Sequence, residues 1–219
     1  MKRELRITED GSHTFYLPEM DEPYHSVHGA VRESLHVFLG QGFLTLDKPS
    51  LRILEIGFGT GLNALITLAE ANVRGVKVRY HTVEKYPLDY EEYSRINYEE
   101  FIPGIPSGSL MKLHKAPWGE ATWISENFTL TKEQNDFRAM NPPGPFDLVY
   151  FDAFAPQKQP HLWTEGVFKK VSGVLIPGGL LVTYTCKGSI RRTLVSCGFE
   201  VEKVPGPPGK REMIRATRR

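Results

Sequence analysis

The sequence predicts a doubly wound α/β domain whose mostly parallel sheet ends in an antiparallel hairpin. Three observations predict it: strand and helix patterns alternate from residue 51 onward, a glycine turn joins the first of those strands to its helix, and the last two strand patterns are separated only by a short Pro/Gly loop. A chain of 219 residues, 40% hydrophobic and 24% charged, suits one soluble domain with a sizeable core.

Residues 1–48 read as an N-terminal extension packed on a main domain of residues 49–219. Ser12-His13-Thr14-Phe15-Tyr16-Leu17 alternates as a strand does, and Glu22-Pro23-Tyr24-His25-Ser26 reads as a loop. Residues 29–39 space Val31, Leu35, Val37, Phe38 and Leu39 for a helix that Gly40 and Gly42 stop. Leu51-Arg52-Ile53-Leu54-Glu55-Ile56 is a short apolar strand running into Gly57-Phe58-Gly59-Thr60-Gly61, and residues 62–71 form the next helix. Residues 76–83 give a second strand ending at Glu84, and residues 147–151 another ending at Asp152. Residues 86–138 read as an insertion beside the active site, with helical spacing over 89–98, the prolines Pro103, Pro106 and Pro117, and one strand at Phe128-Thr129-Leu130. A further strand follows at 179–184, then a helix at 189–197. Strands at 199–204 and 212–217 flank Pro205-Gly206-Pro207-Pro208-Gly209, a loop too short for a crossover helix, so they should pair antiparallel.

Composition excludes several classes. No apolar run approaches the ~18–20 residues that span a bilayer, and the basic start Met1-Lys2-Arg3 leads into no apolar signal region, so a cytoplasmic, membrane-free protein is expected. Cys186 and Cys197 form no CxxC pair and read as two small buried thiols. His25-Ser26-Val27-His28 has no acidic or thiol partner nearby, and no metal site is expected. The net charge of +1 gives no global attraction to polyanions. Residues 187–219 nevertheless carry nine Lys/Arg against three Glu, an excess that serves either phosphate contacts or a solvated terminal region.

Two motifs carry chemistry. Gly57, Gly59 and Gly61 follow G-x-G-x-G spacing, not the G-x-G-x-x-G of dinucleotide sites, and Glu55 would be a poor neighbour for a pyrophosphate. S-adenosylmethionine, which has no phosphate, suits this turn better. Glu84, 23 residues after Gly61, can accept hydrogen bonds from both ribose hydroxyls, and Asp136 is a weaker candidate for the adenine amino group. Phe151-Asp152-Ala153-Phe154-Ala155-Pro156 sits at another strand end. Methyl transfer from a sulfonium needs an in-line nucleophile held close to the methyl carbon. If that nucleophile is an amine, Asp152 can accept its N–H bonds and take the proton, with Phe154 and Pro156 as an apolar wall for a base. Asn141-Pro142-Pro143 imitates a base-amine methylation motif but precedes its strand, and reads as a loop.

The chain resembles the methyltransferase family of tRNA 5-methylaminomethyl-2-thiouridine biosynthesis, in the stand-alone form without the FAD-dependent oxidase domain. The residues that carry the likeness are Glu55-Ile56-Gly57-Phe58-Gly59-Thr60-Gly61-Leu62-Asn63, Glu84-Lys85-Tyr86-Pro87-Leu88, the run from Asp152-Ala153-Phe154 to Leu162-Trp163-Thr164, Arg191-Arg192 and Lys210-Arg211-Glu212-Met213. Ala153 stands where the family often has Gly. The resemblance implies a class I S-adenosylmethionine-dependent methyltransferase fold and methylation of the aminomethyl nitrogen on C5 of a wobble uridine in the tRNA anticodon loop. It extends the donor site to Phe58, Thr60, Asn63 and Lys85, and implies a separate enzyme supplying the precursor. Phe154 and Trp163 are then the expected stacking residues, and Lys187, Arg191, Arg192, Lys210 and Arg211 the expected phosphate contacts. The rival readings are a small-molecule methyltransferase or aminopropyltransferase, and a non-catalytic RNA-binding protein on the same scaffold.

Overall fold

The computed structural model describes residues 2–219. Its N-terminal part is a small antiparallel sheet of β1 (Glu4–Ile7), β2 (His13–Leu17) and β3 (Glu22–Pro23). A short helix α1 (Ala30–Ser34) continues as a π-helical turn over Leu35–Gly40, where the sequence pattern suggested one regular helix. The main sheet is built from β4 (Ser50–Ile56), α2 (Leu62–Arg74), β5 (Lys77–Glu84), α3 (Tyr90–Tyr93), α4 (Ser109–Lys115), β6 (Ala121–Ser125), β7 (Phe128–Gln134), β8 (Phe146–Phe151), α5 (Glu165–Val174), β9 (Leu175–Thr183), α6 (Gly188–Ser196), β10 (Phe199–Pro205) and β11 (Glu212–Arg218).

The eight strands lie in the order β10-β11-β9-β8-β4-β5-β7-β6. β9, β8, β4, β5 and β7 are mutually parallel, and β11 enters antiparallel beside β9 to close the β10–β11 hairpin. The doubly wound sheet and its antiparallel ending are those read from the sequence. The chain order reverses between β4 and β8, so their carboxyl ends border the crevice where open α/β sheets bind ligands.

Strand alternation explains why both faces are covered. Leu51 and Ile53 of β4 point into one core with Leu65 and Leu68 of α2 and with Val37, Phe38 and Phe43 of the N-terminal part. Leu54 and Ile56 point into the other, with Phe168 and Val171 of α5 and Ile190 and Leu194 of α6. The extension is thereby welded to the first core rather than resting on the surface.

The segment at 86–138 is not wholly an insertion: β7 pairs with β5 along its full length and β6 adds an antiparallel edge. Helix α3 is a single turn, started by Asp89, which accepts from the Glu92 amide in a capping box, and is far shorter than the spacing over 89–98 suggested. Cys197 is buried as expected, but Cys186 is exposed in the loop after β9, where no core element covers it.

Candidate active site

β4 and β8 run side by side with Ile56 opposite Phe151, and the Asp152 amide donates to the Ile56 carbonyl at 3.0 Å. The chain leaves β4 through Gly57 (φ 98°), Gly59 (φ 50°) and Gly61 (φ 77°). A side chain on Gly57 would put its Cβ 2.6 Å from the Asp152 carbonyl oxygen, so glycine is needed here for two strand ends to meet. A Cβ on Gly59 would press on the Tyr24 ring at 3.2 Å. The turn is held from below by Phe58, which packs on His114 and Trp118 with ring centroids 5.1 and 6.3 Å away. The buried Lys132 ammonium lies 4.5 Å from the Trp118 ring centroid and donates to the His114 carbonyl at 2.6 Å; burial pushes its pKa down to about 8.

The turn opens onto a cavity of about 670 Å³. Gly57, Phe58, Gly59, Thr60 and Asn63 line it from β4 and α2, Glu84, Lys85 and Asp136 from the ends of β5 and β7, and Asp152 and Phe154 from the end of β8. Asn63 is almost fully buried and its amide donates to Asp152 at 2.8 Å, while its carbonyl oxygen has no partner. Glu84 accepts from the Gly59 amide at 2.9 Å and the Tyr86 amide at 2.8 Å, which fixes its carboxylate at the rim of the turn. Asp136 is paired with Arg138 at 2.7 Å and Lys85 at 3.1 Å; the Arg138 hydrogen bonds chiefly hold its pKa far below the usual carboxylate range. Desolvation pushes the Asp152 pKa up to about 7, against the pull of Asn63 and with a smaller push from the Glu33 charge.

The remaining expected site residues fall elsewhere. Glu55 lies one layer below the cavity, fully buried, accepting from Thr82 at 2.7 Å; desolvation raises its pKa strongly, so its carboxyl belongs to the core rather than to a ligand. Gly61 caps α2 outside the cavity lining. Trp163 is buried against Phe151 and Phe168 and donates its indole N–H to the Phe154 carbonyl at 2.8 Å, so it braces the loop and offers no face to a base. Pro156 is also absent from the lining. Lys187, Arg191, Arg192 and Arg211 are exposed outside the cavity, Lys187 bonded to Gln157. Lys210, in contrast, reaches into the cavity and pairs with Glu33 at 2.8 Å.

The linear sequence missed the wall supplied by the N-terminal part. Tyr24 packs edge-on against Phe154 with centroids 5.0 Å apart, and its hydroxyl accepts from Arg3 at 3.0 Å. Tyr184 donates to the Ala153 carbonyl at 2.9 Å from the end of β9. Phe154 itself is pinned at both backbone groups, its N–H by Gln159 at 3.1 Å and its carbonyl by Trp163. An aromatic ring, a carboxylate near neutrality and a glycine cradle thus share one crevice.

A family described as S-adenosyl-L-methionine-dependent methyltransferase matches residues 126–219. The tRNA 5-methylaminomethyl-2-thiouridine biosynthesis bifunctional protein MnmC of Ralstonia nicotianae is 34% identical over 96% of this chain, and that of Cupriavidus metallidurans 31% over 96%. The chain spans about a third of the length of these relatives, 34% and 33%. The crystal structure of MnmC2 from Aquifex aeolicus superposes with a TM-score of 0.79 at 28% identity, covering 98% of this chain and 70% of that one. The chain is similar to these methyltransferases along almost its whole length. The fold is therefore that of the class I methyltransferases.

The residues present fit the donor that names the family. S-adenosylmethionine carries a carboxylate and an ammonium, a ribose diol and a sulfonium, and no phosphate. The glycine turn that a Cβ would fill, the carboxylate of Glu84 at its rim, and the unpartnered Asn63 oxygen among the lining residues supply acceptors and close backbone approach for such a molecule. No helix among the described residues is long and apolar enough to cross a membrane.

Proposed function

We propose that this chain is an S-adenosylmethionine-dependent N-methyltransferase acting on the aminomethyl group at C5 of the wobble uridine of tRNA, converting 5-aminomethyl-2-thiouridine to 5-methylaminomethyl-2-thiouridine. The observation that carries the reading is the Asp152 carboxylate, poised near neutrality in the same cavity as the glycine turn. The fused relatives are named for this pathway, which supports tRNA as the substrate class.

Bound donor supplies an electrophilic methyl group on a sulfonium. Gly57, Gly59 and Thr60 would approach it through backbone, Glu84 would take the ribose hydroxyls, and Lys85 and Asp136 would border the adenine. Phe154, held rigidly by Gln159 and Trp163, offers a face on which an extruded uracil stacks, with Tyr24 edge-on beside it. Asp152 accepts a proton from the substrate ammonium. The substrate nitrogen, its lone pair freed, would be held by Asp152 and by the base stacked on Phe154 toward the place where the donor would present its methyl group. A pKa of about 7 suits a base at cytoplasmic pH. Arg191, Arg192, Lys187 and Arg211 would hold phosphates around the anticodon loop, in a cytoplasmic setting where a separate activity supplies the aminomethyl precursor.

The test is methyl transfer from labelled donor to tRNA taken from cells lacking this protein, followed by nucleoside mass analysis. One added methyl on the aminomethyl nitrogen is expected. Label in any other nucleoside, or none, refutes the reading.

A further inference from the structure

Glu33 is a carboxylate in an unusual position: 8% exposed, yet bordering the cavity. One of its oxygens is fixed by the Ser26 amide at 2.8 Å, which leaves the other to face a partner. That partner is the ammonium of Lys210, 2.8 Å away, which also sits 4.3 Å from the centroid of the Tyr184 ring. Tyr184 is fixed in turn by its bond to the carbonyl of Ala153, the residue after Asp152. A primary ammonium thus rests between a buried carboxylate and an aromatic face, beside the proposed base. These are the groups that recognise an alkylammonium.

Lys210 reaches this place from the loop between β10 and β11, on a flexible stem that remains about a third exposed. A buried ion pair of this kind adds little to stability against its desolvation cost, so its placement in the cavity calls for another reason. The carboxylate and the ring are each held by a hydrogen bond to backbone, whereas the lysine ammonium arrives on a four-carbon stem that is about a third exposed.

We propose that Glu33 and Tyr184 form the seat for the primary ammonium of the substrate, and that Lys210 holds this seat in the free protein and yields it when substrate enters. The inference rests on the reading that the substrate is an alkylamine. Glu33 attracts the charged form, and the neighbouring Asp152 then takes the proton that must leave before the nitrogen can attack. Glu33 is on this account a specificity residue: it selects tRNA bearing the amine over tRNA with plain uridine.

The experiment measures kcat and KM with tRNA from cells lacking the protein for the unaltered chain, Glu33→Gln and Lys210→Met, with donor affinity by calorimetry and binding of an unmodified transcript alongside. Glu33→Gln is expected to raise KM at least about tenfold, the usual scale for one charge-assisted contact of ~1.4 kcal/mol, with a smaller change in kcat and with donor and transcript binding unchanged. Lys210→Met is expected to leave KM unchanged or lower it, because the competing ammonium is gone. A KM within twofold of the unaltered value for Glu33→Gln overturns the seat. So does a tenfold rise for Lys210→Met, which would make that lysine a phosphate contact. If Glu33→Gln does not fold, Lys210→Met decides alone. Absence of methyl transfer by the unaltered chain defeats the amine reading itself, whereas transfer with an indifferent Glu33→Gln defeats only the seat.

Discussion

Asn63 donates its side-chain amide to the Asp152 carboxylate over 2.8 Å, tying the first turn of the helix after the glycine turn to the end of the neighbouring strand. This bond couples the donor side of the crevice to the proposed base. An Asn at 152 can still accept it, so Asp152→Asn keeps the geometry and removes only the charge. Steady-state turnover should fall by about 10²–10⁴, the range for loss of general base catalysis, while tRNA binding persists. Undiminished turnover would remove Asp152 from the mechanism. In the unaltered chain kcat/KM should climb with pH through about 7 as this carboxyl loses its proton. The same shift has a cost in stability. The folded state holds this proton between the ordinary carboxylate range and about 7 while the unfolded chain releases it, so its contribution to stability falls as pH rises across that window. Asp152→Asn should therefore melt higher than the parent at pH 8, with the difference vanishing near pH 4.

Gly57→Ala tests the meeting of the two strand ends. The new Cβ would lie 2.6 Å from a backbone oxygen, at a φ of 98° that side chains rarely adopt. Backbone strain of about 1–3 kcal/mol is expected, read as a lower urea midpoint, together with donor affinity weakened at least tenfold. Normal donor binding would show that the crevice does not depend on this approach.

Trp163 and Phe154 should separate cleanly. Trp163→Phe removes the indole bond to the Phe154 carbonyl and leaves a part-buried acceptor unpaired, at a cost of about 1 kcal/mol in unfolding free energy. Phe154→Ala should spare stability more and weaken tRNA binding by about 1–3 kcal/mol, the usual worth of one base stack. A tRNA defect confined to Trp163→Phe would reverse the two assignments.

Arg191 and Arg192 are exposed on α6 and belong to the proposed phosphate surface. Replacing both with Ala should weaken binding of any tRNA and lower the slope of log K against log salt by roughly two. Filter binding at several salt concentrations measures it. A change in kcat with the salt slope intact would place these residues elsewhere.

Much of this was legible because it is local. The G-x-G-x-G turn, Glu84 and Asp152 each stand where an apolar strand pattern stops, and the switch point of a doubly wound sheet gathers such ends at one crevice without further information. Glu55 shows the limit of that reasoning. It is adjacent to the turn in sequence, but strand alternation points it under α2, where it is buried with Thr82. Trp163 shows it again: an aromatic in a distinctive run can be a brace rather than a platform, and only the packing of Phe151 and Phe168 around it decides which.

Chain order and hydrophobic period were by themselves enough to determine the parallel strands β4, β5, β8 and β9, the antiparallel ending and the pairing of a glycine turn with a strand-end carboxylate, since these follow from contacts between neighbours in sequence or in the strand order. The edge formed by β7 and β6 was not legible in this way. Tertiary structure alone decided the far wall of the cavity. Tyr24, Glu33, Tyr184 and Lys210 come from four separate segments with no shared spacing. Their convergence, and the partial desolvation that raises the pKa of Asp152 on the cavity wall, exist only once long-range packing has brought the N-terminal part and the last hairpin onto the same crevice.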